Sequence, residues 1–284
     1  MTAPATPATL RFVDLHMHST ASDGALPPEG VVEAASAAGL AAIALTDHDT
    51  LGGIDGARAA GARLGVTVSA GVELSALHDG REVHLLGLHL EKLDALDVHL
   101  AAFRRTRHSR AEEMVAVLNT LGVPVTMDAV LANADGGAIG RPHVARALID
   151  GKWVRDAREA FDRYLGTGRP AFVDKHRLSA VDAISMIHEA GGVAIFAHPG
   201  SDGRRERIEP LAAIGLDGAE VKHPSHSADD SARIAALVDF LNLVPSGGSD
   251  WHGQKHGNRV IGGMAVPYHW YERQLERAAA RRAA

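Results

Sequence analysis

The sequence predicts an α/β protein built on a parallel β-sheet that is either open or closed into a barrel. Short apolar or β-branched runs recur along the 284 residues, and Ala-rich segments with helical periodicity separate them. Strands are expected near 11–16, 41–48, 66–73, 83–90, 193–199, 218–223 and 243–252. This alternation of strand and helix is typical of βα units, whose strands run parallel.

Helices are expected between these strands at 29–39, 55–64, 179–190 and 229–241. The alternation breaks between about 99 and 170, where three helical segments follow one another. They are AAFRRTRHSRAEEMVAVLNTLG, MDAVLANA and RPHVARALIDGKW, the last with Pro142 suited to its first turn. We therefore predict a domain formed by residues 1–98 and 171–284, with an inserted helical subdomain at 99–170.

The composition argues against several classes of protein. The formal net charge of −6 disfavours binding to duplex DNA over a broad basic face. The chain has no apolar run of about 18 residues and no signal-peptide pattern at its start, so we expect a cytoplasmic protein with no membrane span. Because it contains no cysteine, nitrogen and oxygen would have to hold any metal ion. Its 17 histidines favour such a site.

Histidine, aspartate and glutamate residues recur at the ends of the predicted strands. Because ligands bind at the carboxyl ends of parallel strands, these side chains are expected to meet at one rim. They are His16, His18 and Asp23 after the first strand, Asp47, His48 and Asp49 after the second, Glu73 closing the third, His198 closing the fifth, His223 and His226 after the sixth, and Asp250 and His252 after the seventh. His84 is irregular because it lies within the fourth run.

Each motif also has a structural explanation when it is considered alone. The histidines of DLHMH could be solvated, TDHDT could cap a helix, Glu73 could be exposed, AHPG could form a turn and SDWH a capped loop. All of these would have to hold at the same rim, so a shared site is the better interpretation. So many imidazole and carboxylate groups favour more than one Mn, Fe or Zn ion. Such ions polarise a phosphoryl oxygen and activate water, so the predicted reaction class is hydrolysis.

The motifs DLHMHSTASDG, TDHDT, GVELS, EVHLLG, AHPG and GGSDWHG resemble, in this order, those of the polymerase and histidinol phosphatase (PHP) superfamily. The resemblance covers about residues 11 to 263. It implies a distorted (β/α)7 barrel with a small helical insertion and three divalent ions, with Mn favoured and Zn, Fe and Mg as alternatives. The ligand groups that it implies are His16, His18, Glu73 and Asp250 for one ion, Asp23, His48 and His252 for a second, and Glu73, His84 and His198 for the third, with Glu73 bridging two ions.

Three further motifs narrow the resemblance to one branch of this superfamily. GRPHVARALI, FDRYLGTGRPAFVDK and GLDGAEVKHPSHS are similar to the branch that removes the 3′-phosphate from nucleoside 3′,5′-bisphosphates and trims short RNA from its 5′ end. The implied substrate is therefore a nucleotide or a short RNA. The segment AFVDK lacks the branch's more usual proline before the lysine but keeps Lys175.

The residues of these motifs also suit a substrate with two phosphates on chemical grounds. Arg141 can bind a phosphate through two hydrogen bonds, and Lys175 offers a point charge. His143 begins a helix and could bind the second phosphate there. His223 and His226 could orient a phosphate or protonate the departing oxygen. The alternatives are a surface salt bridge for Arg141 and a solvated loop position for Lys175.

Other charged residues receive a structural interpretation. The run Arg104, Arg105, Arg107 and Arg110 is expected to form a solvated helix face paired with Glu112 and Glu113 rather than an RNA contact. Asp49 is expected to support a ligand histidine from outside the coordination sphere.

Three other functions remain open from the sequence. A histidinol phosphatase would perform the same chemistry on an amino alcohol phosphate. A metal-dependent amidohydrolase or deaminase would release ammonia instead of phosphate. A nucleic-acid-binding or accessory module would carry a vestigial metal site. The sequence gives no indication of the oligomeric state.

Overall fold

The computed structural model describes residues 11–134, 139–174, 178–253 and 259–283. The strands are β1 (Phe12–Met17), β2 (Ala42–Leu45), β3 (Thr67–His78), β4 (Arg81–Leu88), β5 (Leu178–Ser179), β6 (Val193–Phe196), β7 (Gly218–Lys222), β8 (Val244–Gly247) and β9 (Val266–Pro267). The helices are α1 (Pro28–Ala37), α2 (Ile54–Leu64), α3 (Leu93–Thr120), α4 (Met127–Ala134), α5 (Arg141–Asp150), α6 (Ala157–Ala160), α7 (Ala180–Glu189), α8 (Arg205–Ala213), α9 (Ala228–Phe240) and α10 (Tyr268–Ala283).

The strands form one sheet that curls into a nearly closed barrel, which confirms the predicted α/β barrel with helices around it. The strand order is β8-β7-β6-β4-β3-β2-β1-β9, and β5 pairs with β3. β1 and β8 approach each other across the gap: Met17 pairs with Trp251, and the Asp250 N–H donates to the His16 carbonyl at 2.8 Å. All seven predicted strands are present, and the two-residue strands β5 and β9 are additional.

The expectation of a wholly parallel sheet is wrong at β4. This strand is antiparallel to both β3 and β6, and only Asp79 and Gly80 connect it to β3. Both residues have positive φ, 51° and 71°, the backbone geometry of the two-residue hairpin turns that Asp-Gly favours. A parallel connection would need about a dozen residues or more. The short connection therefore reverses the chain direction at β4. As a result, the first half of β4 pairs with the last residues of β3.

Two apolar clusters hold the barrel together. One includes Ile43 and Leu45 of β2 and packs against the surrounding helices, among them α1, α2, α7 and α9. The other joins Val13 of β1 and Val244 of β8 to Tyr271 of α10. Strands from both ends of the sheet order contribute to this second cluster because the sheet is curled. Each fully buried side chain of this size contributes about 1.5–3 kcal/mol relative to an exposed one.

The helices between β4 and β5 have an apolar cluster of their own, which includes Leu118 of α3, Val130 of α4 and Val144 of α5. Helix α3 connects this cluster to the barrel, since Leu96 and Leu100 in its first half pack in the barrel core. The proposed boundary after residue 98 falls inside this continuous 28-residue helix. Within the described ranges, no helix is both long and apolar enough to cross a membrane.

Candidate metal centre

The nine predicted metal ligands come together at one end of the barrel. β1, β2, β6 and β8 bring their residues there at or just beyond their carboxyl ends, whereas β3 extends past the rim and contributes Glu73 from its middle. The antiparallel β4 then returns His84 to the site, opposite Ser75. The hairpin therefore explains why His84 lies inside its apolar run. A depression of about 300 Å³, here called the metal basin, is lined by His48, Glu73, His84, His198, His223, Ser225, Asp250, His252 and Arg259.

The first predicted group, His16, His18, Glu73 and Asp250, is buried and compact. His16 Nε2 lies 3.3 Å from Glu73 Oε2 and 3.4 Å from Asp250 Oδ1. His18 Nε2 lies 3.2 Å and 3.3 Å from the same two oxygens. Two imidazole nitrogens and two carboxylate oxygens thus face one small volume. This spacing is suited to a common cation.

The other two predicted groups adjoin the first. Asp23, His48 and His252 lie together with His18, and His252 Nε2 is 3.3 Å from Asp23 Oδ1. Glu73, His84 and His198 form the last group, in which Glu73 Oε1 lies 2.6 Å from His84 Nδ1 and 3.1 Å from His198 Nε2. Glu73 directs one oxygen to the first group and the other to the last. A carboxylate in this position can bridge two ions.

The donor atoms fit divalent metal ions. Two donors that each lie about 2.1 Å from one ion are about 3.0–3.4 Å apart, which matches the spacing around His18 Nε2. Among the described residues, both ring nitrogens of His18 and Nδ1 of His48 are buried without a hydrogen-bond partner. Leaving such atoms unsatisfied is costly, and a metal ion satisfies a ring nitrogen. Imidazole and carboxylate donors suit Mn, Fe and Zn.

The charges in this centre shift the acidity of its members. Burial favours the protonated form of Glu73, but the neighbouring histidines, led by His48, hold its pKa well below the usual range. The pKa of Asp250 is lowered in the same way by His16 and His18, against the effect of burial. The pKa of His18 rises to about 10 because the nearby carboxylates of Asp250 and Glu73 outweigh its burial. The pKa of His48 falls to about 3, chiefly through burial.

Glu220 of β7 belongs to the site although the sequence analysis did not single it out. Its Oε1 lies 3.1 Å from His16 Nδ1, and its Oε2 accepts the His198 N–H at 2.6 Å. The carboxylate is buried, yet the adjacent His16 keeps its pKa below the ordinary value. The available signal was a carboxylate inside the otherwise buried run GAEVKH. Arg259, also missed, lies with Nη1 2.5 Å from Asp250 Oδ2.

The loop that carries Asp23 is fixed by Asp47. The Ser19 N–H and hydroxyl donate to the Asp47 carboxylate at 2.8 and 2.7 Å, and the Ser22 hydroxyl donates to it at 2.7 Å. Gly24 has no room for a side chain, because a Cβ there would lie 2.5 Å from the backbone at the end of β1. Within the loop sequence STASDG, the positions of Ser19, Ser22 and Gly24 are therefore explained.

Part of the arginine run does not form the solvated face expected from the sequence. Arg107 Nε lies 2.6 Å from Asp49 Oδ2, and the buried Arg110 donates from Nε to the Val173 carbonyl at 2.8 Å. Asp49 thus pairs with an arginine at the site. Arg105 is exposed as expected, whereas Arg104 is half-buried and pairs with Asp97 of the same helix. The interpretation failed for the two arginines whose helix face packs towards the rim.

Arg107, Arg110 and Arg141 line a cleft of about 190 Å³ that also contains His48 and His84 of the metal basin. We call it the arginine cleft; its other lining residues are Ser22, Asp23, Ser75, Glu82, Gly140, Pro142 and Phe161. Burial, with the nearby charges of Arg141 and Arg107, lowers the pKa of Arg110 to about 10. The Arg110 guanidinium group is therefore still charged at neutral pH. The cleft places concentrated positive charge directly beside the candidate ligands.

Arg141 is positioned by the helical insertion. Its Nη1 donates to the Leu165 carbonyl at 3.4 Å, and its guanidinium carbon lies 5.6 Å and 5.8 Å from the ring centres of Phe161 and Phe172. These contacts are consistent with cation–π attraction. Lys175, the other predicted phosphate ligand, lies outside the described residues.

His143 attaches helix α5 to the loop of Asp23. Its Nδ1 accepts the Gly140 N–H at 3.0 Å, and the ring also forms a hydrogen bond with the Ser22 backbone. Burial lowers the pKa of His143, so the neutral ring is favoured. Its assignment to phosphate binding stays a prediction.

His223 and His226 occupy different environments. His223 lines the metal basin, with Nε2 3.3 Å from Asp250 Oδ2 and Nδ1 2.7 Å from Ser225 Oγ. Both ring nitrogens of His226 contact backbone groups: Nδ1 lies 3.1 Å from the Val221 carbonyl, and Nε2 accepts the Gly200 N–H. A phosphate would have to displace one of these contacts to reach His226. His223 is therefore the better placed of the two for substrate contact.

The chain matches the PHP domain family model over residues 14–170. It is 40% identical over 257 residues to the 3′,5′-nucleoside bisphosphate phosphatase of Chromobacterium violaceum, an alignment that covers 88% of this chain and 90% of that protein. It is 39% identical over 245 residues to a 5′-3′ exoribonuclease of Haemophilus influenzae, covering 84% of this chain and 89% of the relative.

Solved structures show the same fold. A protein described as a metal-dependent phosphoesterase from Bifidobacterium adolescentis aligns with a TM-score of 0.85 and 29% identity, covering 94% of this chain and 96% of the other. A Chromobacterium violaceum structure described as an amidohydrolase with bound sulfate aligns with a TM-score of 0.80 and 36% identity, covering 95% and 96%. With the residues assembled at the barrel rim, these matches show that the chain belongs to the PHP domain family and is a metal-dependent phosphoesterase.

Proposed function

We propose that the protein hydrolyses the 3′-phosphate of nucleoside 3′,5′-bisphosphates and removes 5′ nucleotides from short RNA. The observation that carries this proposal is the arginine cleft, which shares His48 and His84 with the metal basin. A substrate with two phosphates can place one among the candidate metal ligands and the other among the arginines. The activities for which the two relatives from Chromobacterium and Haemophilus are named support the same substrate class.

The residues have distinct proposed roles. Arg141 binds the phosphate that is not transferred, through the bidentate geometry of its guanidinium group, and Lys175 adds a second cation there. His143 and His226 are weaker candidates for phosphate contact because backbone groups engage their rings. His223 faces the transferred phosphate from the metal basin. There it orients the phosphate or supplies a proton to the departing 3′ oxygen.

The nine predicted ligands are proposed to hold three divalent ions, with Mn favoured. When bound, such ions would polarise the phosphoryl group and lower the pKa of water. The chain itself contributes the fixed placement of the two phosphates. In the net reaction, an oxygen from water bonds to phosphorus, the bond between phosphorus and the 3′ oxygen breaks, and that oxygen takes a proton. The products are a nucleoside 5′-monophosphate and inorganic phosphate.

Two relatives suggest competing substrates. The chain is 36% identical over 259 residues to a phosphoribosyl 1,2-cyclic phosphate 1,2-diphosphodiesterase of Eggerthella lenta. The similar structure described as an amidohydrolase suggests amide hydrolysis as an alternative reaction. A histidinol phosphate would bring its own ammonium group towards the arginine cleft, which disfavours that substrate electrostatically.

A substrate panel tests the proposal. Purified protein is supplied separately with Mn, Mg and Zn and assayed on adenosine 3′,5′-bisphosphate, histidinol phosphate, a ribose 1,2-cyclic phosphate, a 5′-phosphorylated oligoribonucleotide and a primary amide. We expect phosphate and adenosine 5′-monophosphate from the first substrate. Release of adenosine 3′-monophosphate, faster turnover of histidinol phosphate, or ammonia release from an amide substrate without phosphatase activity would contradict the assignment.

A further inference from the structure

A second and larger cleft reaches the metal basin from another side. Its volume is about 980 Å³, and it lies between the helical insertion and the barrel rim. We call it the outer cleft and define it by Asp23, Ala25, Arg146, Arg155, Phe161 and Arg259. It shares His252 and Arg259 with the metal basin, whereas the arginine cleft shares His48 and His84 with that basin. The candidate ligands therefore lie between two clefts.

A ridge divides the two clefts. Pro142, at the start of α5, and Phe161, in the turn after α6, line both of them. Asp23 also faces both. Because each cleft adjoins the metal basin, a linear molecule can run from one cleft to the other across the candidate metal ligands. This arrangement suits a linear polymeric substrate better than a compact one.

The size of the outer cleft exceeds what a single phosphate requires. Pockets of about 300–1,000 Å³ hold molecules of drug size, which corresponds to one or more nucleotides. The arginine cleft, at about 190 Å³, is much smaller. The terminal phosphate of the proposed substrate fits the small cleft, and the rest of a longer substrate fits the large one.

The outer cleft carries cations that the bisphosphate reaction does not use. Arg146 of α5 is exposed along it. Arg155 also lines it, although its Nε lies 2.8 Å from Glu159 Oε2. The lining carboxylate Asp156 accepts the Glu159 N–H at the start of α6, so one of its oxygens is engaged. Arginines along a groove are the usual means of following a phosphate backbone.

An aromatic side chain marks the continuation of the outer cleft. Ile149 and Arg155 line both the outer cleft and an adjoining depression that contains Lys152 and Trp153. Trp153 is 38% exposed and lines this depression. Bases stack on exposed aromatic rings in grooves that bind single strands, with little dependence on sequence. Phe161, nearer the metal basin, offers a second ring.

We infer that the outer cleft binds the nucleotides on the 3′ side of the scissile phosphate in single-stranded RNA. This inference rests on the proposed function, in which the 5′-terminal phosphate occupies the arginine cleft. In both substrates the bond between phosphorus and the 3′ oxygen breaks. In RNA the phosphorus also carries the 5′ oxygen of the next nucleotide, whose chain must leave the metal basin through the outer cleft. After hydrolysis that chain retains a 5′-phosphate, ready for another round.

The test separates RNA binding from bisphosphate hydrolysis. The variant Arg146→Ala/Arg155→Ala removes two outer-cleft cations. The control variant Arg158→Ala/Arg205→Ala removes two exposed arginines, each of which forms a salt bridge with an acidic residue four positions later in the sequence. Binding is measured by fluorescence anisotropy with 5′-phosphorylated oligouridylates of two and six nucleotides, labelled at the 3′ end. Hydrolysis of adenosine 3′,5′-bisphosphate is measured in parallel.

We expect the outer-cleft variant to bind the hexamer about tenfold more weakly, while the KM for bisphosphate changes less than about twofold. The slope of log Kd against log salt concentration should flatten by about 1.4, since each of the two lost phosphate contacts in a single strand contributes about 0.7. The control variant should bind like the parent. Unchanged hexamer binding by the outer-cleft variant, or equal losses for hexamer and bisphosphate, would overturn the inference. Failure of the parent to hydrolyse bisphosphate would instead overturn the proposed function, and hexamer binding would still report on the cleft.

Discussion

Glu220 Oε1 lies 3.1 Å from His16 Nδ1, so the carboxylate stands behind the histidine on the side away from the other candidate ligands. This contact favours the tautomer that keeps a proton on Nδ1 and leaves the Nε2 lone pair facing Glu73 and Asp250. Carboxylate partners of this kind orient metal-binding histidines and raise their basicity. Glu220 also accepts the backbone N–H of His198, and therefore positions two candidate ligands.

Replacement of Glu220 by glutamine should weaken metal binding by about 10- to 100-fold, because the hydrogen bond to His16 loses its charge. Metal affinity is measured by titration of the metal-free protein with Mn, and the KM for substrate is measured at saturating metal. We expect KM to stay near the parental value, with activity recovering as metal is added. Glu33→Gln, an exposed change on α1, is the matched control. Parental metal affinity in Glu220→Gln would show that the carboxylate does not position His16.

Replacement of Glu73 by alanine should remove bound metal and activity together, because this buried carboxylate faces two of the ligand groups. We expect activity to fall by more than about a hundredfold, a greater loss than the removal of an outer partner causes. Elemental analysis gives the metal content, and phosphate release gives the turnover. Glu272→Ala, at an exposed position of α10, should leave both unchanged. Normal metal content with normal turnover in Glu73→Ala would refute the ligand assignment.

Replacement of Arg141 by alanine should raise the KM for adenosine 3′,5′-bisphosphate by about 10- to 100-fold, since a charge-assisted hydrogen bond contributes about 1.5–3 kcal/mol. The KM for p-nitrophenyl phosphate, which has no second phosphate, should change little. Steady-state kinetics on both substrates measure this difference. Arg105→Ala, an exposed arginine on α3, is the control. Equal effects of Arg141→Ala on the two substrates would exclude the proposed phosphate contact.

His89 predicts a pH dependence of stability that is separate from the metal centre. Its ring is buried between Ser69 and Gln274, with Nδ1 3.0 Å from Ser69 Oγ and Nε2 3.1 Å from Gln274 Oε1. Burial, with the nearby charge of Arg282, lowers its pKa to about 4. The unfolded chain binds this proton near pH 6.5, whereas the folded chain does not. Folding stability is therefore lost as pH falls below 6.5, and the loss stops growing near pH 4.

The variant His89→Gln should lack this component of acid destabilisation. Between pH 6.5 and 5, the free energy of unfolding of the parent should fall by about 1 kcal/mol per pH unit more than that of the variant. Urea denaturation across this range measures the difference in slope, whatever the stability of the variant at neutral pH. His99→Gln, at an exposed position, should follow the parent. Identical slopes for His89→Gln and the parent would contradict a neutral buried ring.

The sequence by itself determined the barrel and the candidate ligands. The seven strand runs have a short apolar or β-branched pattern, and most of the motifs fall at or near the carboxyl ends of those runs. The helices at Met127–Ala134 and Arg141–Asp150 follow from local signals that act within a few residues. Such features depend on neighbouring residues, so they can be read from a linear sequence.

The tertiary structure alone decided which distant residues support the ligands. Glu220 contacts His16 across 204 positions of sequence, and no local pattern encodes that distance. The orientation of α3, which turns Arg107 and Arg110 towards the rim, depends on the packing of its two halves against separate cores. The reversal of β4 had a local signal in Asp79 and Gly80, but its consequence for His84 emerges only when the hairpin joins the curled sheet. Long-range packing sets these relationships, because the hydrophobic free energy depends on the apolar area that the whole fold buries rather than on any one segment.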